Sequence, residues 1–259
     1  WGKWSRVQFE SDNIGKPMEG HTCKMFDTIT ANSIEHIKKD DVILDIGCGA
    51  GRFIDVVRMK CDNPIIGIDY SNSVEIASNN FISDQKIFIV QADALKLPFR
   101  ADTFQGSFSI GVLHHTPDPE KGVKEAFRVM DKGGWFGLSV YQKNSYYDKP
   151  VLKFYRKIFS YLKPLFSFMP AILYSYVAVN VIRPIARRLV FTKPIISKCF
   201  PFVDLPDKSW SILDTFDSVT PTYASTHDRS EVFDWLSAAG FQDIKPTNLG
   251  ETSFLAKKL

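Results

Sequence analysis

The stretch Val42-Ile-Leu-Asp-Ile-Gly-Cys-Gly-Ala-Gly-Arg52 decides the fold. An apolar run rich in β-branched residues ends in Asp45, and Gly47, Gly49 and Gly51 follow at once. That order predicts a buried strand, a tight turn and a helix beginning near Ala50. Glycines in such a turn let the backbone approach a ligand that any Cβ would push away, and the helix N-terminus favours negative charge or polar acceptors. Working outward, Ile65-Ile-Gly-Ile-Asp69 reads as a second buried strand ending in an acid, with Ser71 or Asn72 placed to cap the next helix. Lys86–Gln91 alternates into a third strand and leads to Ala92-Asp93-Ala94. Strands alternate with helical patterns from Val42 to Val140, which predicts a parallel sheet with helices on both faces.

A turn of this kind suits dinucleotides or S-adenosylmethionine. The dinucleotide fingerprint G-x-G-x-x-G would place its third glycine at position 52, which is Arg; here the glycine comes one residue early. A carboxylate at Asp45 can meet the ammonium group of a methionine moiety, whereas it would repel a pyrophosphate. The spacing therefore favours S-adenosylmethionine over NAD. Asp69 is placed to accept hydrogen bonds from both ribose hydroxyls. Asp93 can accept the adenine amino group, and Ala92 and Ala94 leave room for the ring. Each acid alone could be a helix cap or a solvated turn; three consecutive strand ends carrying one argue for a nucleoside site.

The series continues through Leu97-Pro-Phe99, Asp102-Thr-Phe104, Ile110-Gly-Val-Leu-His-His115, Pro117-Asp-Pro119, Glu125-Ala-Phe-Arg-Val-Met130 and Lys132-Gly-Gly134 to the strand Trp135–Val140. With these motifs the chain resembles the class I S-adenosylmethionine-dependent methyltransferases over residues 40–142 and again 228–258. The likeness is strongest to the small-molecule branch that includes ubiquinone-type and sugar O-methyltransferases. The resemblance implies a Rossmann-like α/β fold with a seven-stranded, mostly parallel sheet whose last strand is antiparallel. It also implies S-adenosylmethionine as cofactor, held by Asp45, Gly47, Cys48, Gly49, Gly51, Asp69, Tyr70, Ala92, Asp93, Ala94 and Gly111.

Three segments are expected: an N-terminal arm and cofactor-binding core over residues 1–142, a helical insertion after the fifth strand over 143–227, and a closing helix and strands over 228–259. The closing helix reads from Ser230 to Ala239, with Asp228 as cap and Gly240 as stop, and strands follow around Ile244–Leu249 and Ser253–Ala256. Residues 143–200 hold eleven Lys or Arg against the single acid Asp148, a net +10, which leaves −7 for the rest of a chain of net charge +3. Pro164 to Ile182 is uncharged and apolar. The insertion fits a lid over the substrate, an interfacial segment on an anionic membrane, or, with its prolines against it, a spanning helix.

Methyl transfer from a sulfonium is an in-line displacement, so positioning supplies much of the rate, and a hydroxyl acceptor also needs a base. His114 and His115 follow the fourth strand directly, where the resemblance places the loop facing the donor methyl, and His227 is a third candidate catalytic group. A loop histidine can equally pack against the cofactor or cap a helix. Asp217 and Tyr223, in the polar stretch Asp214–Asp228, and His21 near the N-terminus are candidates for holding the acceptor. That stretch is read as a loop returning to the core.

The four cysteines are scattered and no metal-ligand spacing stands out. With no apolar h-region in the first thirty residues, a cytoplasmic protein is expected, peripheral on the inner face of the membrane. The expected acceptor is a small or lipid-linked glycan, methylated on a sugar hydroxyl. C-methylation of a prenylated quinone and a non-catalytic S-adenosylmethionine-binding module are the alternatives. A nucleic-acid partner is disfavoured, because the basic residues are interleaved with long apolar runs.

Overall fold

The computed structural model describes residues 7–189, 193–247 and 252–259. The chain divides into two compact units, one of Gly20–Gln142 and Ser225–Leu259, the other of Val7–Glu19 and Lys143–Ala224. Residues 7–19 thus cluster with the insertion rather than with the core to which the sequence assigned them.

The first unit is built on seven strands: β1 (Ile43–Ile46), β2 (Ile65–Asp69), β3 (Ile87–Gln91), β4 (Phe104–Ile110), β5 (Met130–Val140), β6 (Gln242–Pro246) and β7 (Thr252–Lys257). They form one sheet in the order β3-β2-β1-β4-β5-β7-β6. β1 to β5 pair in parallel, and β7 runs antiparallel to β5 and to β6, as expected for the fold. The expected strand residues 248 and 249 lie outside the described residues.

Alternation along each strand sends side chains to two faces. Leu44, Ile46 and Ile68 pack under the helices Pro119–Val129 and Arg229–Ala239, through Val123, Ala126, Val232 and Leu236. Ile43, Ile65 and Phe108 pack on the other face, under the helices His21–Thr30 and Arg52–Lys60. Phe26 meets Phe108 edge-on at 5.1 Å. Caps follow the sequence: Asp118 accepts the amide of Lys121 with Pro119 in the first turn, and Asp228 and Glu231 form a capping box closed by Gly240 at φ 107°.

In the second unit, the helices Pro150–Phe166, Met169–Val177 and Lys208–Val219 enclose a small apolar core of Leu152, Ala171, Phe216 and Val219. Met169–Val177 continues through a wide turn over Ala178–Ile182 into Arg183–Arg188. Pro184 follows that turn; it has no N–H for the Asn180 carbonyl and its ring crowds that group, which a widened turn relieves. Asp214–Val219, read from sequence as loop, are the second half of a helix whose N-cap Asp207 accepts the amide of Trp210 at 2.7 Å. The turn-forming Asp, Thr and Ser residues misled the reading: Thr215 and Ser218 turn their hydroxyls back onto helix carbonyls instead.

Candidate cofactor and acceptor site

The glycine turn sits at the carboxyl end of β1. Gly47, Gly49 and Gly51 all take positive φ, at 88°, 54° and 95°. The helix therefore starts at Arg52, two residues later than expected, because its N-cap Gly51 is left-handed. The amides of Gly47 and Cys48 both donate to the Ile68 carbonyl, at 2.7 and 2.8 Å, tying the turn to β2. A Cβ on Gly47 would lie 2.3 Å from Val112, and one on Gly51 would lie 2.3 Å from Phe81. Gly49 and Gly111 differ: a Cβ there would meet nothing within 4 Å. Those two glycines border open space.

Asp45 is 1% exposed, and its Oδ2 has no hydrogen-bond partner among the described residues. Burial, and then the neighbouring Asp69 carboxylate, push its pKa well above the carboxylate range, with Arg52 opposing. A buried, unsatisfied carboxyl is costly in a stability role but apt for a cationic ligand. Asp69 at the end of β2 accepts the amide of Gly49 at 3.0 Å through Oδ2, and the amide and hydroxyl of Ser71 at 2.8 and 2.7 Å through Oδ1. After β3, Asp93 is exposed and accepts the Leu95 amide at 2.8 Å, between half-buried Ala92 and buried Ala94. Tyr70 is 77% exposed beside the same strand ends. The Cys48 thiol is buried, and burial raises its pKa, so it stays a neutral turn residue. The orphaned Asp45 oxygen, the open faces of Gly49 and Gly111 and the fixed Asp69 fit S-adenosylmethionine. Asp45 would take its ammonium, Asp69 its ribose and Asp93 its adenine.

Glu125 and Arg128, quoted in the motif series without a role, clamp the loop after β3. Glu125 accepts the Leu97 amide at 2.8 Å and pairs with Arg128, which donates to the carbonyls of Leu97 and Phe99. That clamp fixes the chain just beyond Asp93.

The three candidate catalytic histidines separate by environment. His114 is fully buried, and its Nδ1 accepts the Tyr141 amide at 3.3 Å. A neutral ring accepting at Nδ1 carries its proton on Nε2, so this geometry suits packing rather than proton uptake. Its ring lies 3.6 Å from that of Tyr141 and 4.1 Å from that of His115. His115 is half-buried, the edge of its pair that reaches solvent. His227 is buried, with Nε2 2.7 Å from Ser225 Oγ and Nδ1 3.0 Å from Glu231 Oε1. Ser225 donates its amide and its hydroxyl to the His114 carbonyl, at 3.0 and 3.1 Å, and the His227 amide donates to the Tyr141 carbonyl at 2.8 Å.

The structure thus joins His114, His115 and His227 in one network. Tyr141, Ser225 and Glu231 build it, and only the Ser–x–His–x–x–x–Glu spacing hinted at them. Of the acceptor candidates, His21 is the exposed first residue of the helix His21–Thr30 in the first unit, while Asp217, in a helix, and Tyr223, half-exposed, belong to the second. No group of three metal-ligating side chains occurs among the described residues.

Residues 44–138 match the family model described as "Methyltransferase domain". The chain is 30% identical over 118 residues to the sterol 24-C-methyltransferase of Kluyveromyces lactis, covering 44% of this chain and 32% of that protein. It is 33% identical over 123 residues to the probable tRNA methyltransferase 9B of Homo sapiens, covering 45% and 25%. The chain therefore spans a third or less of the length of these relatives. Among solved structures, phosphoethanolamine N-methyltransferase 2 of Haemonchus contortus, in complex with S-adenosyl-L-methionine, superposes at a TM-score of 0.54 with 14% identity, over 95% of this chain and 43% of that one. The fold is thereby shown, and residues 44–138 include the glycine turn and the three strand-end acids. Residues 44–138 are thus similar to a methyltransferase domain, and their glycine turn and strand-end acids fit S-adenosylmethionine.

Proposed function

We propose that this protein transfers the methyl group of S-adenosylmethionine to a small or lipid-linked acceptor, with a sugar hydroxyl as the preferred target. The observation that carries the donor half is the buried Asp45 oxygen without a protein partner beside the open face of Gly49. On the acceptor side, the C–S bond breaks as the O–CH3 bond forms, the sulfonium becomes a neutral thioether, and the hydroxyl proton passes to His115. Of the three histidines His115 has the exposure for that step, backed by the tilted ring of His114 4.1 Å away. Calorimetric titration with S-adenosylhomocysteine, with Asp69→Ala and NAD as controls, tests the donor. Saturable binding weakened by Asp69→Ala supports it, and absence of binding in folded protein overturns it in favour of a fold kept without turnover.

A second reading, C-methylation of a prenylated quinone, draws support from the relatives named sterol C-methyltransferases, whose acceptors are apolar. Labelled-methyl transfer to glycosyl, quinone and tRNA acceptors separates the readings. Incorporation into a glycosyl hydroxyl that falls with His115→Ala supports the first. Incorporation into quinone carbon, or into tRNA as the name of the human relative would suggest, replaces it.

A further inference from the structure

The helices of the second unit turn their apolar side outward. Along the continuous helix Met169–Arg188, the enclosed positions are small or polar apart from Val179: Ala171, Ser175, Ala178, Arg183 and Ala186. The opposite side carries Met169, Leu173, Tyr176, Val177, Val181 and Ile185, all exposed, Leu173 at 65%. Spacings of three and four residues put these on one stripe. Arg183 faces inward and donates to the Leu205 carbonyl at 3.2 Å and to Ser211 Oγ at 2.8 Å. Pro150–Phe166 repeats the pattern. Its Arg156 is buried and donates to the Ser218 carbonyl at 2.9 Å, while Phe154, Tyr161 and Leu165 stand 60%, 80% and 71% exposed. A surface helix in water has the reverse arrangement, and contiguous exposed apolar area on this scale marks an interaction face. The sequence holds no acid between Asp148 and Asp204, and Lys157, Lys163 and Arg188 are exposed among the apolar side chains.

We propose that this face docks on an anionic lipid bilayer, lying in the plane of the interface. The apolar stripes enter the headgroup–acyl boundary, and the Lys and Arg side chains meet lipid phosphates. Charge selects this occupant. A second copy would set one cationic segment against another, and a polyanion such as RNA would engage the cations but leave Leu173 and Val177 in water. At twenty residues, Met169–Arg188 is long enough to cross a bilayer, but crossing would strip Arg183 of Leu205 and Ser211 and leave it in hydrocarbon. Interfacial docking keeps both bonds. The inference stands apart from methyl transfer, because its test reads lipid binding alone.

The experiment is co-sedimentation of the full chain with vesicles of phosphatidylcholine alone and with vesicles containing about a third phosphatidylglycerol. Binding to the anionic vesicles is expected to exceed that to neutral ones by about tenfold or more and to fall as salt rises. Leu173→Glu with Val177→Glu should abolish binding and leave the far-UV circular dichroism and melting temperature unchanged. Lys157→Glu with Arg188→Glu, which leaves the apolar stripe intact, should remove the preference for anionic lipid. Failure to bind either vesicle overturns the proposal, as does equal binding to both. So does a dimer in solution that Leu173→Glu converts to monomer without any vesicle binding.

Discussion

The carboxylate of Asp69 accepts the amide hydrogen of Gly49 at 3.0 Å, so the acid that ends β2 holds the turn that follows β1. One side chain thereby couples the two halves of the donor site. Its second oxygen is held by Ser71. Asp69→Ala is expected to weaken S-adenosylhomocysteine binding by about 10- to 100-fold, the value of losing a charged hydrogen-bonding group of ~1.5–3 kcal/mol. Asp69→Asn should recover part of that loss, since its side-chain oxygen can still accept the Gly49 amide. Calorimetry on both variants reads the difference.

Gly47 and Gly49 predict opposite phenotypes for the same substitution. Alanine at Gly47 places its Cβ 2.3 Å from Val112 at a φ of 88°, so the protein should lose stability, by about 2 kcal/mol or more. Alanine at Gly49 meets no protein atom within 4 Å, so its melting temperature should drop much less, by the ~1 kcal/mol cost of a left-handed non-glycine residue. Cofactor affinity should nonetheless fall sharply in Gly49→Ala. Equal affinity in Gly49→Ala and wild type would show that the open space is not where the cofactor lies.

Proton release should accompany donor binding. The buried Asp45 carboxyl, its pKa raised by desolvation and by Asp69, is protonated over a range where an ordinary aspartate is not. A cationic ammonium beside it favours the carboxylate, so binding lowers its pKa and expels a proton. Titrations in buffers of different ionisation enthalpy should show this release in wild type and its loss in Asp45→Asn. Affinity in wild type should rise with pH until the free-state pKa is passed, and then level off.

The Glu125–Arg128 clamp should give acid-sensitive stability. The hydrogen bond from Arg128, aided by the Leu97 amide, holds the Glu125 pKa below its ordinary value. A depressed carboxylate pKa contributes stability above the unfolded-state value of about 4.3 and loses it as pH falls through the folded value. Glu125→Gln should cost about 1 kcal/mol at neutral pH, and its melting curve should converge on that of wild type in acid. A gap that persists at low pH would mean the loop is held by shape rather than charge.

The parts of the site nearest one another in sequence were the parts the sequence disclosed. The β-branched run before Gly47 leads into that turn, and the acids at positions 45, 69 and 93 lie at or just beyond the carboxyl ends of β1, β2 and β3, each with local punctuation. The Ser225–His227–Glu231 network escaped because it closes on His114, over a hundred residues away, through a backbone carbonyl. Arg156 and Arg183 escaped for another reason. A basic residue in an apolar helix reads as the wet side, and here carbonyls of a neighbouring segment draw it inward. The second half of Lys208–Val219 reads as loop because its hydroxyl and acidic residues favour turns, a preference that tertiary packing overrides here.

Gln142 and His227 bridge in parallel, so the chain departs from the first unit and rejoins it at adjoining residues. That bridge makes the 82 residues of Lys143–Ala224 a cassette. Loop-closure entropy grows only logarithmically with length, by about 0.6 kcal/mol per doubling, so the register of β5 with β7 is nearly indifferent to what is spliced between them. Drift in the cassette can change what the enzyme meets outside itself without moving a single strand pair around the donor.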